Sequence, residues 1–211
     1  MRNNINDVEN ENIGISIFKI MDYMYCPRII YYENIAEVSQ NKGNDFKDME
    51  EKRQIRKDGV NRKWIWEQLK VKKESINILS EYKKFNKLLH SRKNHVYGVV
   101  DEILFLKDET VVPLYYYNSK FDGRNNEEYK YQMAMYSMLI EENYNVESKK
   151  GYILFLDGIL LKKFEYNSKD FEKIEKCAAE TLKIIELEKY PIEVEGGTKC
   201  RDCYYKKICG R

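Results

Sequence analysis

The sequence predicts a mixed α/β domain with a central sheet, and three observations lead to that fold class. The patterns run in the order helices, sheet, helix, hairpin and helix. The 211 residues, of which 43% are hydrophobic, can bury a sizeable core, so we expect one domain over 1–211. No run of eighteen apolar residues occurs, and we expect no membrane span. We divide the domain into a helical part at 1–74, a core at 75–190 and a cysteine-rich tail at 191–211.

The helical part carries two capping signals and one long charged stretch. A first helix is predicted over 16–24 with Ser16 as its cap, and a second over 27–34 with Pro27 at its first position. A charged helical region follows over 44–73. Its candidate core contacts are Trp64, Trp66 and Leu69.

The core combines strands with two further helices. Alternating apolar residues indicate the strands, and an Asp-Gly pair is typical of a hairpin turn. In chain order the predicted elements are a strand at 96–105, a turn at 107–109, a strand at 110–117, a helix at 127–143, a hairpin joining 151–156 to 159–166 through Asp157 and Gly158, and a helix at 168–188.

Four of the five cysteines have the spacing of a metal centre. Cys200, Cys203 and Cys209 fall within the last twelve residues, and Cys26 lies far upstream. Four thiolates that include a Cys-x-x-Cys pair suit an iron–sulfur cluster or a zinc ion. Either centre would join the N-terminal segment to the tail.

Disulfide bonds are not expected for these thiols. Residues 1–6 do not resemble a secretory signal, so we expect a cytoplasmic protein in a reducing environment, where disulfides are rare. Cys177 falls inside a helical pattern, and we interpret it as a small core residue.

Charge is balanced over the chain but basic around the cysteines. The sequence has 37 basic and 35 acidic residues, so its net charge does not indicate a nucleic-acid partner. The basic residues that flank the cysteines are Arg28, Lys199, Arg201, Lys206, Lys207 and Arg211. They would stabilise an anionic cluster, and they would equally suit a surface that faces DNA.

Five motifs follow one another along nearly the whole chain. They are Cys26-Pro27-Arg28 followed by Tyr31-Tyr32, then Gly98-Val99-Val100-Asp101, then Pro113, then Gln132-Met133-Ala134-Met135-Tyr136, and the Cys200/Cys203/Cys209 tail. Together they resemble the CRISPR-associated Cas-four exonuclease family. The resemblance implies a RecB-like, restriction-endonuclease-like fold, with a central mixed sheet flanked by helices. It also implies that the four cysteines hold a 4Fe-4S cluster joining the N-terminal helices to the tail.

The family's nuclease chemistry needs Mg²⁺ or Mn²⁺ held by hard oxygen ligands, with a lysine near the attacking water. The resemblance implies an Asp, a Glu-x-Lys and a His, and Asp101 fits the first. Tyr115 and Tyr117 stand at the Glu and Lys positions, and Met49 aligns with the His. A neutral phenol binds Mg²⁺ poorly and supplies no cation near pH 7. The pattern favours a pseudonuclease in which Asp101 alone is a poor metal site.

The resemblance also implies residues that contact DNA. Gln132 and Tyr136 are four apart and share one side of their helix, where the family's pair lines the active-site groove. The nearest candidates for phosphate contacts are Lys120, Arg124 and Lys130. Tyr115, Tyr116 and Tyr117 are candidates for stacking on bases, or for packing inside the protein.

The favoured function is therefore that of a Cas-four-like protein of CRISPR adaptation. It would bind DNA ends and support prespacer processing beside the Cas-one/Cas-two integrase or an active nuclease partner.

Two alternatives stay open. One is an active, metal-dependent single-stranded DNA exonuclease with rearranged ligands, for which we consider Lys120, Glu102, His90 and His95 as replacements. Strand alternation points Glu102 to the opposite face, Lys120 is expected beyond the strand end, and the two histidines are expected to be exposed turn residues. The other is a non-enzymatic iron–sulfur protein with a structural or interaction role.

Overall fold

The computed structural model describes residues 14–38, 44–69, 87–106, 110–192, 194, 197–201 and 203–209. The expected turn at 107–109 lies outside the described residues, as do the side chains of Met49 and Trp66 and the whole of Arg211. Within the described part of the chain, no helix is both long and apolar enough to cross a membrane.

The described residues form seven α-helices, together with two single 3₁₀ turns. The helices are α1 (Ile17–Tyr25), α2 (Pro27–Asn34), α3 (Asn44–Asp58), α4 (Arg62–Gln68), α5 (Asn126–Tyr144), α6 (Ser168–Leu187) and α7 (Lys206–Cys209). The 3₁₀ turns are Gly123–Asn125 and Thr198–Cys200.

Seven strands of the described chain form two sheets. They are β1 (Ile15–Ser16), β2 (Lys87–Ser91), β3 (Val96–Val100), β4 (Glu102–Phe105), β5 (Val111–Tyr117), β6 (Lys150–Phe155) and β7 (Leu160–Glu165). One sheet has the order β1-β3-β2 and the other the order β4-β5-β6-β7. Because β5 pairs parallel with β6, while β4 pairs antiparallel with β5 and β7 antiparallel with β6, the larger sheet is mixed, as predicted.

The chain forms two compact units. One contains the described residues of Met1–Asn41, His90–Tyr97 and Lys173–Arg211, and the other contains those of Lys42–Leu89 and Gly98–Glu172. The division of the sequence into one domain with three parts stays a prediction.

In the first unit, local signals set the N-terminal helices. The Ser16 hydroxyl accepts a hydrogen bond from the Lys19 backbone nitrogen at 3.3 Å, which caps α1 as predicted. Cys26 is both the C-terminal cap of α1 and the N-terminal cap of α2, and its extended backbone makes the elbow between them. Pro27 begins α2, where its missing N–H is not needed. The elbow fixes where the Cys26 thiol is presented.

In the second unit, helices cover both faces of the four-stranded sheet. Ile65 and Leu69, at the C-terminal half of α4, pack in one apolar cluster with Leu114, Tyr116 and other residues of that face. On the opposite face, α5 crosses β6 at Gly151. An added Cβ there would lie 3.0 Å from Pro113 and 3.1 Å from Met133, so any larger residue would force these neighbours to shift by a few tenths of an ångström. Trp64 packs against the first cluster and Leu69 belongs to it, as predicted.

Two predicted elements are divided in the structure. The single strand predicted at 96–105 is wrong, because the chain bends at Asp101, ending β3 and starting β4 in the other sheet. Of the helical region predicted at 44–73, residues 70–73 lie outside the described residues, and the rest contains two helices, α3 and α4, separated by Gly59, Val60 and Asn61, with the Asn61 side chain capping α4. The bend matters most, since it places Asp101 at a junction of strands.

Candidate functional site

Asp101 lies at the bend between β3 and β4 and is only 3% exposed. Its Oδ2 accepts a hydrogen bond from the Tyr116 backbone nitrogen at 2.9 Å, which fastens the carboxylate to β5. A buried carboxylate requires compensating charge or hydrogen bonds, because burial disfavours the ionised form.

Two cations of α3 supply that compensation. Lys57 Nζ donates to Asp101 Oδ1 at 3.0 Å, and its side chain is 2% exposed. Arg53 donates through Nη2 to Asp101 Oδ2. Arg53 and Lys57 are four residues apart, so both face the same side of the helix. Both carboxylate oxygens of Asp101 are therefore bound by protein cations.

Sequence reasoning did not single out Arg53 or Lys57. They lie in a highly charged stretch of α3, where the exposed Lys52 and Arg56 look the same in sequence. The spacing of four between two basic residues was the available signal, but that spacing is common on solvated helices.

Tyr115 and Tyr117, at the expected Glu and Lys positions, belong to an aromatic layer under α5. The Tyr115 ring stacks on Tyr136 with centroids 5.7 Å apart, and the Arg53 guanidinium carbon lies 4.8 Å from the Tyr115 ring centre. Tyr117 meets the ring of Tyr129 edge to face at 5.4 Å, and burial raises the pKa of Tyr117. The phenol of Tyr117 thus stays neutral, and both rings are held by packing.

Gln132 and Tyr136 lie on α5 and are buried. Among the described residues, the Gln132 Oε1 atom and the Tyr136 hydroxyl have no hydrogen-bond partner. Burial raises the pKa of Tyr136 well above its usual value, and the neighbouring Tyr115 and Asp101 add to the effect. Two buried polar atoms without partners are costly, which is typical of a site that awaits a polar ligand or water.

The other candidate ligands take different positions. The Glu102 carboxylate accepts a hydrogen bond from the Tyr116 hydroxyl at 2.8 Å, on the sheet face opposite Tyr115, as strand alternation predicts. Lys120 is exposed and lies beyond the end of β5. His90 is within β2 beside Tyr97, and His95 is exposed before β3.

Two of the candidate phosphate contacts are bound to carboxylates. Arg124 Nη2 lies 2.8 Å from Asp122 Oδ2, and Lys130 Nζ lies 2.6 Å from Asp170 Oδ1. The hydrogen bond that Lys130 donates to Asp170 raises the pKa of Lys130, so its ammonium group stays protonated. A role of Lys120, Arg124 and Lys130 in DNA binding stays a prediction.

The four predicted cluster cysteines line a single pocket in the first unit. Cys26 comes from the elbow, Cys200 from a 3₁₀ turn, Cys203 from the loop that follows and Cys209 from α7. The pocket encloses about 460 Å³, part of it open to solvent, and all four thiols are half-buried and free. Cys177 lies outside it, on α6.

Arg28 connects the start of the tail to this pocket through hydrogen bonds. Its guanidinium donates to the Pro191 and Ile192 carbonyl oxygens at 3.0 and 2.9 Å, and to Cys209 Sγ at 3.2 Å. Burial raises the pKa of the Cys209 thiol, but the Arg28 hydrogen bond and the nearby hydroxyls of Tyr32 and Tyr190 outweigh burial and lower it. Arg28 therefore holds the start of the tail and favours a thiolate.

The chemistry of the donor set suits an iron–sulfur cluster or zinc, since four thiols line one pocket and a cation supports one of them, but the thiols are not gathered at one point. Within the described residues, no three His, Cys, Asp or Glu side chains converge on a point where they would hold one metal ion.

Known proteins resemble this chain in sequence and fold. The CRISPR-associated exonuclease Cas4 of Francisella tularensis subsp. novicida is 23% identical over 216 residues, covering 96% of this chain and 97% of that protein. A solved structure of a candidate exonuclease from Eubacterium rectale shares the fold with a TM-score of 0.54 and 10% identity, covering 99% of this chain and 93% of that one. The family described as the PD-(D/E)XK nuclease superfamily matches residues 26–210. The chain belongs to the PD-(D/E)XK nuclease superfamily.

Proposed function

We propose that this chain is a Cas-four-like protein of CRISPR adaptation that holds DNA ends and has lost metal-dependent cutting. It supports prespacer processing in the cytoplasm beside the Cas-one/Cas-two integrase or an active nuclease partner. The 23% identity to a CRISPR-associated exonuclease over nearly the whole chain supports the family role.

The observation that most supports the loss of cutting is that cations of the protein already bind the Asp101 carboxylate. Phosphodiester hydrolysis of this kind needs divalent ions that neutralise charge and activate water. Here Lys57, Arg53 and the Tyr116 backbone nitrogen already satisfy the carboxylate. A Mg²⁺ ion would have to displace two cations and would find phenols at positions 115 and 117.

The same arrangement supports DNA holding without a metal. The charges of Asp101, Arg53 and Lys57 sum to +1, as do those of one carboxylate and one divalent ion. The local field therefore still favours a phosphate. Gln132 and Tyr136 have polar atoms without a partner among the described residues, and Tyr136 lies close enough to Asp101 and Arg53 to interact with their charges, so a polar ligand there would satisfy them.

The cysteine pocket supports a structural cluster in this function. Cys26, Cys200, Cys203 and Cys209 would hold a 4Fe-4S group, which would join the α1–α2 elbow to the tail when bound. Arg28 and the Tyr32 and Tyr190 hydroxyls would stabilise the negative charge of the thiolates.

A direct test measures cutting and binding in one preparation. Anaerobically purified, cluster-loaded protein is incubated with end-labelled single-stranded DNA and Mn²⁺, beside Asp101→Asn. We expect no cleavage by either protein, and DNA binding by the wild type that EDTA does not change. Cleavage by the wild type that disappears in Asp101→Asn would show a working nuclease and would overturn the proposal.

A second candidate function is an active exonuclease with a relocated lysine. Lys57 Nζ, 3.0 Å from Asp101, supplies the amine that position 117 lacks. The same assay decides between the two when Lys57→Met is added to it, because in this alternative the wild type cleaves with Mn²⁺ and Lys57→Met does not.

A further inference from the structure

We propose that the cysteine tail carries a second DNA-binding surface, which takes the phosphates and bases of a single strand. We call it the tail surface and define it by the residues Lys199, Arg201, Tyr204, Lys206 and Lys207. This site is separate from the candidate residues Asp101, Lys120, Arg124 and Lys130. It rests on the proposed function in one respect, namely that the protein binds DNA.

Charge is the first observation. The last fifteen residues, 197–211, contain five basic residues and one acidic residue, whereas the other 196 contain 32 basic and 34 acidic. The tail is thus strongly positive on a chain that is otherwise slightly negative. Clustered charge of this kind attracts a polyanion even when the net charge of a protein is small.

The pairing of these charges is the second observation. Within the described residues, none of Lys199, Arg201, Lys206 and Lys207 forms an ion pair, and all four are exposed. Several exposed lysines elsewhere do have carboxylate partners, and they are Lys93 with Glu175, Lys149 with Glu147, Lys163 with Glu165 and Lys183 with Glu180. The tail cations therefore keep their full charge for an external anion.

An exposed aromatic side chain is the third observation. Tyr204 is 58% exposed, and its ring meets that of the buried Tyr205 edge to face at 5.1 Å. Tyr205 in turn stacks on Tyr32 at 5.3 Å and donates from its hydroxyl to Glu33 at 3.0 Å. Tyr204 is thus held on a rigid base with its ring open to solvent. An aromatic ring among lysines is the usual platform for the bases of a single strand.

The tail surface is also fastened in place. Tyr25 donates from its hydroxyl to the Lys199 carbonyl oxygen at 2.9 Å, and the Lys199 ammonium lies 5.0 Å from the Tyr25 ring centre. Cys200, Cys203 and Cys209 alternate with the basic residues along the same short stretch. A centre held by these cysteines would therefore fix the cations in one arrangement, which lowers the entropy cost of binding a strand.

The test compares two variants that lose the same charge. The tail variant replaces Lys199, Arg201, Lys206 and Lys207 with Gln, and the control variant replaces the paired Lys93, Lys149, Lys163 and Lys183 with Gln. Binding of full-length, cluster-loaded protein to a labelled 20-nucleotide single strand is followed by fluorescence anisotropy over a range of salt concentrations. Iron content and thermal denaturation confirm that each variant is folded and loaded.

We expect the tail variant to bind at least about tenfold more weakly. The slope of the log binding constant against the log salt concentration should decrease in magnitude by about 3, since each phosphate contact contributes about 0.7 for a single strand. The control variant should bind like the wild type. Tyr204→Leu should weaken binding of the single strand by about tenfold and leave binding of the duplex unchanged.

Three results would overturn the tail surface alone while DNA holding by the protein stands. The first is an equal loss of DNA affinity in both variants, and the second is an unchanged salt slope in the tail variant. The third is tighter binding of the full-length protein to phosphatidylserine vesicles than to DNA. Failure of the wild type to bind any DNA would instead overturn the proposed function and the tail surface together. If the fourfold variant does not load iron, Arg201→Gln with Lys207→Gln replaces it, because neither side chain lines the cysteine pocket, and the expected slope change is then about 1.4.

Discussion

The Asp101 centre and the cysteine tail are opposite in how their charges are satisfied. At the Asp101 centre, a buried carboxylate is bound by two cations and a backbone nitrogen of the same chain. Around the cysteine pocket, four half-buried thiols form no disulfide, and four exposed cations of the tail have no ion pair within the described residues. One region is complete without a ligand, and the other would gain by binding one.

The difference indicates which region of this member of a nuclease superfamily has charge left to attract a ligand. A metal site needs acidic groups that lack cationic partners until the ion arrives, because unpaired negative charge is what attracts it. Asp101 does not meet that condition. The tail meets the matching condition for a polyanion, since no ion pair within the described residues neutralises its exposed cations.

The largest expected effect comes from breaking the Asp101 centre. Asp101→Asn would leave the buried Lys57 and Arg53 cations without a counterion, at a cost of about 3–5 kcal/mol in the free energy of unfolding. In a nuclease centre without its metal, removing an unpaired carboxylate would be neutral or stabilising. Urea denaturation of the two proteins measures the difference.

A double variant controls for simple misfolding. Asp101→Asn combined with Lys57→Met removes the stranded ammonium and should recover at least half of the lost stability. If Asp101→Asn alone is as stable as the wild type, Lys57 and Arg53 do not compensate Asp101 in solution, and the contrast between the two regions fails.

The next effect comes from removing one cysteine of the pocket. Cys203→Ser should lose the bound iron and lower stability by about 3 kcal/mol, the contribution of a ligand at a few hundred times its dissociation constant. That corresponds to a fall in Tm of about 6–12 °C for a chain of this size. Iron and sulfide analysis with thermal denaturation gives both values.

Cys177→Ser is the matched control for the pocket, because Cys177 is also half-buried but lies on α6 outside it. It should retain the full iron content. Zinc in place of iron in the purified wild type would assign the four thiols to a zinc centre, and equal iron loss in both variants would contradict the assignment of ligands.

A smaller effect concerns the unpartnered hydroxyl of Tyr136. Tyr136→Phe removes a buried polar atom that has no partner among the described residues, so we expect a gain of about 1 kcal/mol in the free energy of unfolding. Burial raises the pKa of Tyr136 in the folded state above the usual 10.0. Above pH 10.0 the Tyr136 hydroxyl therefore loses its proton in the unfolded chain before it does so in the folded protein. Wild-type stability should then fall with rising pH, and the advantage of Tyr136→Phe should widen.

Denaturation of both proteins at pH 8 and at pH 10.5 checks this prediction. A constant difference between the two pH values would mean that the Tyr136 hydroxyl is solvated and that no polar ligand is awaited there.

The sequence predicted most helices and the mixed sheet because their signals are local. Ser16, Pro27 and the Asp157–Gly158 turn act through neighbouring residues, and the structure has the elements that they predict. The strand at 96–105 was predicted as one piece because its apolar residues are continuous. Its division at Asp101 depends on pairing with β1 on one side and β5 on the other, which local patterns do not contain.

The candidate sites were predicted unevenly for the same reason. Cysteine spacing is a strong signal, and the structure brings Cys26 and the three tail cysteines to one pocket. Absence of the acidic and basic groups at Tyr115 and Tyr117 was also readable from the motif. The partners of Asp101 could not be predicted from the sequence, because the burial of Lys57 depends on how α3 packs against β5. The neighbouring Arg56 has the same charge but is exposed.

The smallest expected effect concerns Arg124, which was a candidate for phosphate contact. Although its side chain is 89% exposed, it forms hydrogen bonds with both Asp122 carboxylate oxygens, so a phosphate would have to compete with a partner already in place. Arg124→Gln should therefore change the affinity for single-stranded DNA by less than about twofold, as measured by anisotropy at 0.1 M salt. Lys207→Gln, which removes an exposed tail cation without an ion pair, should weaken binding more than Arg124→Gln does. The reverse order would mean that exposure, and not the absence of a carboxylate partner, selects the cations that hold DNA.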